Sequence, residues 1–255
     1  MIVPRDGRHD QQGFSAVQEE HRLQRGGRDM SGRILVFGDI HGEYEKFMGA
    51  WEGAKADPAA DELIFLGDYI DRGPEAKKVL DFLMGLSGSR VHLLMGNHEK
   101  MCIGAANTVE EGDKEIKLGE EFLFWYINGG SATFEQISKN LAEFRRYVDF
   151  MRTLPLCYEK RLKGRDYFFC HGGVRPGRRL GEQEEQDLLW IREPYISEYR
   201  GEVMVVTGHT PTCYMEKGRY LPLVRENQIF MDTGSYMREG KVSCMDLLSG
   251  EIWQG

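Results

Sequence analysis

The chain of 255 residues is long enough for one large domain or two small ones, and its 41% hydrophobic content argues against wholesale disorder. A formal charge of −8 argues against non-specific nucleic-acid binding as the main task, while leaving room for a locally positive site. No apolar run approaches the ~18 residues needed to span a bilayer, and five cysteines without a CxxC pair (Cys102, Cys157, Cys170, Cys213, Cys244) point to reduced thiols and a cytoplasmic home.

Residues 1–29 carry five Arg, five acidic residues and four Gly among few apolar residues, which reads as a flexible extension without the apolar stretch of a secretory signal. Met30 directly precedes the first strand and is the expected natural start, so residues 30–255 are expected to form a single domain. From residue 33 one pattern recurs: a short apolar run ends in a small residue, and a metal-capable side chain follows. Ile34 to Phe37 leads to Gly38-Asp39-Ile40-His41-Gly42, and Leu63 to Leu66 leads to Gly67-Asp68. Val91 to Met95 leads to Gly96-Asn97-His98-Glu99, Tyr167 to Cys170 to His171-Gly172-Gly173, and Val203 to Val206 through Thr207 to Gly208-His209-Thr210. These β-branched and aromatic runs predict buried strands.

Between them, Tyr44, Phe47, Met48 and Trp51, then Ala76, Val79, Leu80 and Leu83, repeat at helical spacing. The alternation predicts βαβ units, parallel pairing of the first three strands and polar residues gathered at one edge of the sheet. From about 101 to 160 the aromatic-rich run Phe122 to Ile127 and the spaced Phe134, Ile137, Leu141, Phe144 and Val148 predict a helical insertion. It is expected to be a second packed layer for the core, with a lid over the site as the other reading. Ile229 to Met231 and Val242 to Met245 predict further strands, partly antiparallel.

Each candidate residue has an ordinary explanation alone. Asp39 and Asn97 suit helix caps, Glu99 suits a helix N-terminus, and a single His171 or His209 is more often a core histidine than a ligand. Six such residues (Asp39, His41, Asp68, Asn97, His171, His209) all following strands point instead to a shared site. Two Asp, one Asn and three His, without thiolate, suit a pair of hard-to-borderline divalent cations rather than a structural zinc. A shared carboxylate would let six residues hold two ions ~3.5–4 Å apart. Two divalent charges against two carboxylates leave a positive surplus, before Arg72 is counted, that draws in a phosphate dianion although the whole chain is acidic.

The segments GDIHG (38–42), GDYIDRG (67–73), GNHE (96–99), HGG (171–173) and GHT (208–210) resemble, in order and spacing over roughly 200 residues from Arg33 to Asp232, the signature of the PPP-type serine/threonine protein phosphatases. These belong to the calcineurin-like metallophosphoesterase superfamily, and the likeness is to its bacterial and phage members. The resemblance implies an α/β fold of mixed β-sheets sandwiched by helices, with a helical insertion. It implies one ion on Asp39, His41 and Asp68, and a second on Asp68, Asn97, His171 and His209, with manganese first and iron or zinc as alternatives. His98 would be the general acid and Asp71 its orienting partner. Arg72 would clamp phosphate, joined by Arg192, which follows the Leu189-Trp190 pair and is otherwise an ordinary surface arginine. The implied reaction is one-step hydrolysis of a phosphate monoester by a metal-bound hydroxide.

The expected substrate is a phosphorylated protein. The alternative is a phosphorylated small molecule or dinucleotide, because symmetrical dinucleoside-tetraphosphate hydrolases resemble this pattern closely. The Asp71-Arg72 pair favours the protein-phosphatase version. A calcineurin-like nuclease is disfavoured because Thr210-Pro211 follows His209 where a further His is usual, and a non-catalytic scaffold because no motif residue is lost. Asp232-Thr233-Gly234 resembles an aspartic-protease triplet, but occurs once and is read as a strand-end turn near the metal site.

Overall fold

The computed structural model of the chain describes residues 32–111 and 116–255, so the expected extension over 1–29 and the start at Met30 lie outside the described residues. Two five-stranded sheets stack face to face. The first runs β12-β11-β1-β2-β3, with β1 (Ile34–Phe37), β2 (Glu62–Phe65), β3 (Val91–Leu93), β11 (Ser243–Asp246) and β12 (Ile252–Gln254). β1, β2 and β3 pair in parallel, Leu35 opposite Leu63 and Leu63 opposite Val91, and β11 and β12 join antiparallel. The second runs β6-β7-β8-β10-β9, with β6 (Cys157–Leu162), β7 (Arg165–Cys170), β8 (Met204–Thr207), β9 (Leu223–Val224) and β10 (Gln228–Phe230). Its centre, β7-β8-β10, is parallel and its two outer strands are antiparallel.

Side chains alternate along a strand, and here both faces are covered. Ile34 and Val36 of β1 point into the space between the sheets with Ile64, Leu66, Phe169, Val206, Ile229 and Met231. Leu35 and Phe37 point the other way, under helices α1 (Tyr44–Ala54) and α2 (Ala76–Gly85). That explains why the runs are continuously apolar rather than alternating. The α1 and α2 periodicities hold: Phe47 is buried on α1, and Ala76, Val79, Leu80 and Leu83 are all buried on α2. Phe37, Phe47, Phe65 and Phe82 interlock, with the Phe37 and Phe65 rings stacked at 4.6 Å, and each buried ring contributes roughly 2–3 kcal/mol through area removed from water.

The stretch between the sheets holds α3 (Asn97–Asn107), the hairpin β4 (Val109–Glu111) and β5 (Ile116–Leu118), α4 (Glu120–Trp125), a π-type turn (Tyr126–Gly130), α5 (Ser131–Ile137) and α6 (Leu141–Arg152). Asn140 caps α6 by accepting from the Glu143 amide at 2.9 Å. Phe122, Trp125, Ile137, Phe144, Tyr147 and Val148 join the core under the first sheet, so this segment is a second layer. Two details differ from the sequence expectation of helices over 101–160: the hairpin β4-β5 interrupts them, and residues 157–160 already belong to β6. Short strands paired by backbone hydrogen bonds leave little hydrophobic periodicity to read. The remaining helices are the short α7 (Glu185–Trp190) and α8 (Thr212–Met215). Among the described residues no helix is long and apolar enough to cross a membrane, and all five cysteines are free thiols.

Candidate active site

The strands that feed the site belong to two sheets, not to one as the βαβ pattern suggested. β1, β2 and β3 deliver Asp39, His41, Asp68 and Asn97 from one side. β7 and β8 deliver His171 and His209 from the other. A run apolar on both faces does not reveal which sheet it joins; the shared layer between the sheets decides it. The six residues meet all the same, each at most 4% exposed.

The loops that carry them are strained. His41, Asp68, Asp71, Arg72 and His209 all have left-handed backbone, with φ of 48°, 53°, 71°, 71° and 66°. Such conformations cost a non-glycine residue on the order of 1 kcal/mol or more each and persist only where the surroundings over-determine them. Here the surroundings are hydrogen bonds between loops. The Asp68 carbonyl accepts from the amides of Ile40 and His41 at 3.0 and 2.8 Å. Glu99, fully buried, accepts from the amides of Asp68 (2.8 Å), Tyr69 (2.8 Å), Ile70 (3.3 Å) and Gly96 (2.9 Å). The residue that the sequence offered as a helix-end acid is therefore the brace of the Asp68 loop.

Asp68 lies at the centre. Its Oδ2 is 3.4 Å from His41 Nε2 and 4.0 Å from His98 Nε2, and its Oδ1 is 3.3 Å from His171 Nε2. Two groups of ligand-type atoms share it: His41, Asp68 and His98, and Asp68, His171 and His209, each set lying within 4.8 Å. Asp39 stands beside them with its carboxylate against the His209 amide, at 3.0 and 3.1 Å. Only a glycine fits at 208, because a Cβ there would lie 2.1 Å from Asp39 Oδ1.

Ring orientation exposes lone pairs to this space. His41 Nδ1 donates to the Ile70 carbonyl and His171 Nδ1 to the Leu66 carbonyl, both at 2.9 Å, so each Nε2 faces the centre. His171 Nε2 is 2.8 Å from Asn97 Oδ1, an acceptor, a pairing that needs a proton or a cation between the two. His209 Nε2 is buried with no hydrogen-bond partner. Burial pushes the His41 and His209 imidazoles well below their ordinary range, which keeps them neutral and able to coordinate. For His171 burial works the same way, but the Asp68 carboxylate outweighs it and raises the group. Burial opposes ionisation of Asp68 too, and His171, His98 and His41 overcome it, holding the carboxyl well below the usual range. Asp39 is pushed well up by burial and by the nearby Asp232 and Asp68 charges, and burial lifts Asp232 to about 6. Three carboxylates crowded out of water need positive charge beyond what Arg72 alone supplies. An unpartnered imidazole nitrogen and this anionic crowding fit a pair of divalent cations.

Beside this space, His98 Nδ1 donates to Asp71 Oδ2 at 2.7 Å, and Arg72 Nη1 and Nη2 lie 2.7 and 3.0 Å from the Nε2 atoms of His41 and His98. Arg192 Nη1 donates to the His209 carbonyl at 3.0 Å and to Thr210 Oγ1 at 3.2 Å, at the rim. The structure thus brings every sequence-predicted residue to one place. Three participants (Tyr236, Trp125 and Thr133) were not anticipated, and a fourth, Asp232, was expected only as part of a turn near the metal site. Asp232 adds charge, and Tyr236 lies 4.2 Å below the Arg72 guanidinium with its ring edge-on to His41. Trp125 and Thr133 bind Asp71 from the insertion. No motif marks Tyr236, Trp125 or Thr133; Asp232 opens the DTG triplet.

Two facing mixed sheets whose strand ends gather His and Asp around Asp68 define a candidate dinuclear metal centre. Residues 32–231 match the family described as calcineurin-like phosphoesterase, and the chain belongs to it. It is 28% identical over 210 residues to serine/threonine-protein phosphatase 2 of Salmonella typhimurium, covering 82% of this chain and 90% of the relative. It is 36% identical over 143 residues to a symmetrical bis(5'-nucleosyl)-tetraphosphatase of Methylococcus capsulatus, covering 56% and 44%. In fold it resembles a protein serine/threonine phosphatase from Saccharomyces cerevisiae, with a TM-score of 0.58 at 14% identity over 91% of this chain and 82% of that one.

Proposed function

We propose that the chain removes phosphate from phosphoserine and phosphothreonine residues of proteins. The observation that carries the reading is the oriented pair His98-Asp71, at 2.7 Å, set 4.0 Å from Asp68 and beside Arg72. Asp39, His41 and Asp68 would hold one divalent cation and Asp68, Asn97, His171 and His209 the other, manganese being favoured over iron or zinc. Bound there, the cations supply a water acidic enough to attack near neutral pH and charge to offset the phosphate. The residues of the chain do the rest. Arg72, whose two guanidinium nitrogens lie against the Nε2 atoms of His41 and His98, would turn that fork to the phosphoryl oxygens, a geometry Lys cannot copy. Arg192, held at the rim by the His209 carbonyl and Thr210 Oγ1, would join it. As the P–O bond to the serine oxygen breaks, His98 gives the Nε2 proton to that oxygen, and Asp71 keeps the ring oriented through Nδ1–H. The water oxygen ends on phosphorus, so the products are the alcohol and inorganic phosphate.

Protein rather than dinucleotide is supported by identity and coverage taken together: two relatives named protein phosphatases are 28% and 30% identical over 82% and 79% of this chain, whereas an asymmetrical tetraphosphatase is 25% identical over 74% and a symmetrical one 36% over only 56%. Five free thiols suit a cytoplasmic setting. The test places a phosphoserine peptide and diadenosine tetraphosphate side by side with manganese. Faster turnover of the peptide is expected; preference for the dinucleotide overturns the assignment. His98→Ala should lower kcat by about 10²-fold or more on an alkyl phosphate and far less on an aryl ester with an activated leaving group. Equal losses would remove His98 from the acid role.

A further inference from the structure

The insertion that packs as a second layer under the first sheet also reaches the reaction centre. Asp71 is completely buried, and its carboxylate meets three donors. His98 Nδ1 and Trp125 Nε1 reach Oδ2 at 2.7 and 2.9 Å, and Thr133 Oγ1 reaches Oδ1 at 2.7 Å. The Thr133 oxygen in turn accepts from the Asp71 amide at 2.8 Å. One hydroxyl therefore fixes both the side chain of Asp71 and its left-handed backbone. The next residue is tied to the same segment: the Arg72 amide donates to the Gly129 carbonyl at 3.1 Å. At Gly129 a Cβ would lie 2.9 Å from Arg72 Cγ, and φ is 108°, so only glycine permits this contact.

The geometry points to Trp125 and Thr133 as positioning residues for proton transfer, acting through Asp71 on His98. A carboxylate held at one oxygen alone could turn about its Cβ–Cγ bond and carry its acceptor away from the imidazole. Anchored at both oxygens by donors from the insertion, it cannot, and His98 keeps the orientation in which Nε2 is turned to the Arg72 guanidinium at 3.0 Å and to Asp68 Oδ2 at 4.0 Å, on the side where the leaving oxygen would come. Donors to an ionised carboxylate are stronger than neutral pairs, so their loss is felt at the histidine. Neither Trp125 nor Thr133 touches the reacting atoms. The inference rests on reading His98 as the proton donor.

Poor leaving groups need the proton and activated ones do not, so leaving-group dependence separates this role from a purely structural one. The experiment measures kcat and KM of the full chain with manganese on glycerol 2-phosphate and on p-nitrophenyl phosphate. Thr133→Val and Trp125→Phe are expected to lower kcat on the alkyl ester by about 10- to 10²-fold, with KM changed less than about threefold, and to leave the aryl ester within about threefold. Thr133→Ser keeps the hydroxyl and should restore the alkyl rate. Equal losses on both esters, or no rescue by serine, overturn the proposal. His98→Ala is the reference. If it shows the asymmetry and Thr133→Val does not, only the positioning role fails; if it loses equally on both esters, the acid assignment fails and takes this inference with it. Should Trp125→Phe not fold, by thermal melt, the valine and serine pair at 133 decides alone.

Discussion

Replacing Gly208 by Ala tests the geometry of the centre without touching any residue expected to bind. A Cβ at 208 would sit 2.1 Å from Asp39 Oδ1, where an ordinary contact begins near 3.4 Å, so the carboxylate must retreat by about 1.3 Å. Asp39 has a short side chain, and its oxygens are already fixed at 3.0 and 3.1 Å by the His209 amide. It cannot retreat by that distance and keep those bonds. A misplacement of about 1 Å in a catalytic constellation costs on the order of 10²-fold in rate. Gly208→Ala is therefore expected to lower kcat by about 10²-fold and to raise the manganese concentration needed for half-maximal rate, while the thermal melt of the metal-free protein moves by only a few degrees. The assay is a manganese titration of phosphomonoester hydrolysis beside calorimetry of metal binding. Activity and metal affinity within about threefold of the parent would show that Asp39 does not hold an ion in this position.

Stability and catalysis should separate at the opposite end of β2. Glu62 accepts from Tyr158 OH (3.0 Å) and Lys160 Nζ (2.7 Å) across to β6, with His92 Nε2 at 3.4 Å. Burial opposes its charge, but His92, Lys160 and Tyr158 overcome it and bring the carboxyl down from 4.5 to about 2. A depressed folded pKa stabilises above the unfolded value and loses that contribution as pH falls from about 4.5 toward 2. At 1.36 kcal/mol per unit that drop is worth somewhat more than about 3 kcal/mol before solvent screening reduces it, so Glu62→Gln is expected to cost about 2–3 kcal/mol at pH 7, with the gap to the parent closing in acid and kcat unchanged. Urea denaturation at several pH values checks this; parallel curves would refute it. Removing divalent metal with a chelator should abolish hydrolysis, and returning manganese should restore it. At a hundredfold excess over Kd the returned ion should also stabilise the fold by about 2.7 kcal/mol, read as a rise in Tm. Full activity in demonstrably metal-free protein would refute the two-cation centre.

Much of the site was legible because each residue type answers a local demand. A carboxylate, amide or imidazole just past a buried strand is out of place unless it binds something, and the spacings carried six such residues after five strands. The insertion was legible as a packed layer from Phe134, Ile137, Phe144 and Val148, whose recurrence records the buried face. Its reach into the centre was not. Trp125 and Thr133 look like any core tryptophan and helix threonine, and the Asp71 that gives them a role is 54 and 62 residues away. Glu99 was read only in part for the same reason: it does serve the helix end, accepting from the Gly96 amide, and its bracing of the strained loop appears only once the Asp68 loop is laid against it.

The amino-acid order alone determined the strand-then-ligand rhythm, the two βα units, and which side chains can hold cations, since these follow from hydrophobic periodicity and donor chemistry within a few residues; the phosphate-clamp reading of Arg72 and Arg192 came from the family resemblance. Only the tertiary structure decided that the donors arrive from two facing sheets, that Asp68 lies within 4.0 Å of three imidazoles, and that the insertion grips Asp71. Those outcomes depend on which apolar faces bury one another, and an apolar face specifies that it must be covered without specifying by what.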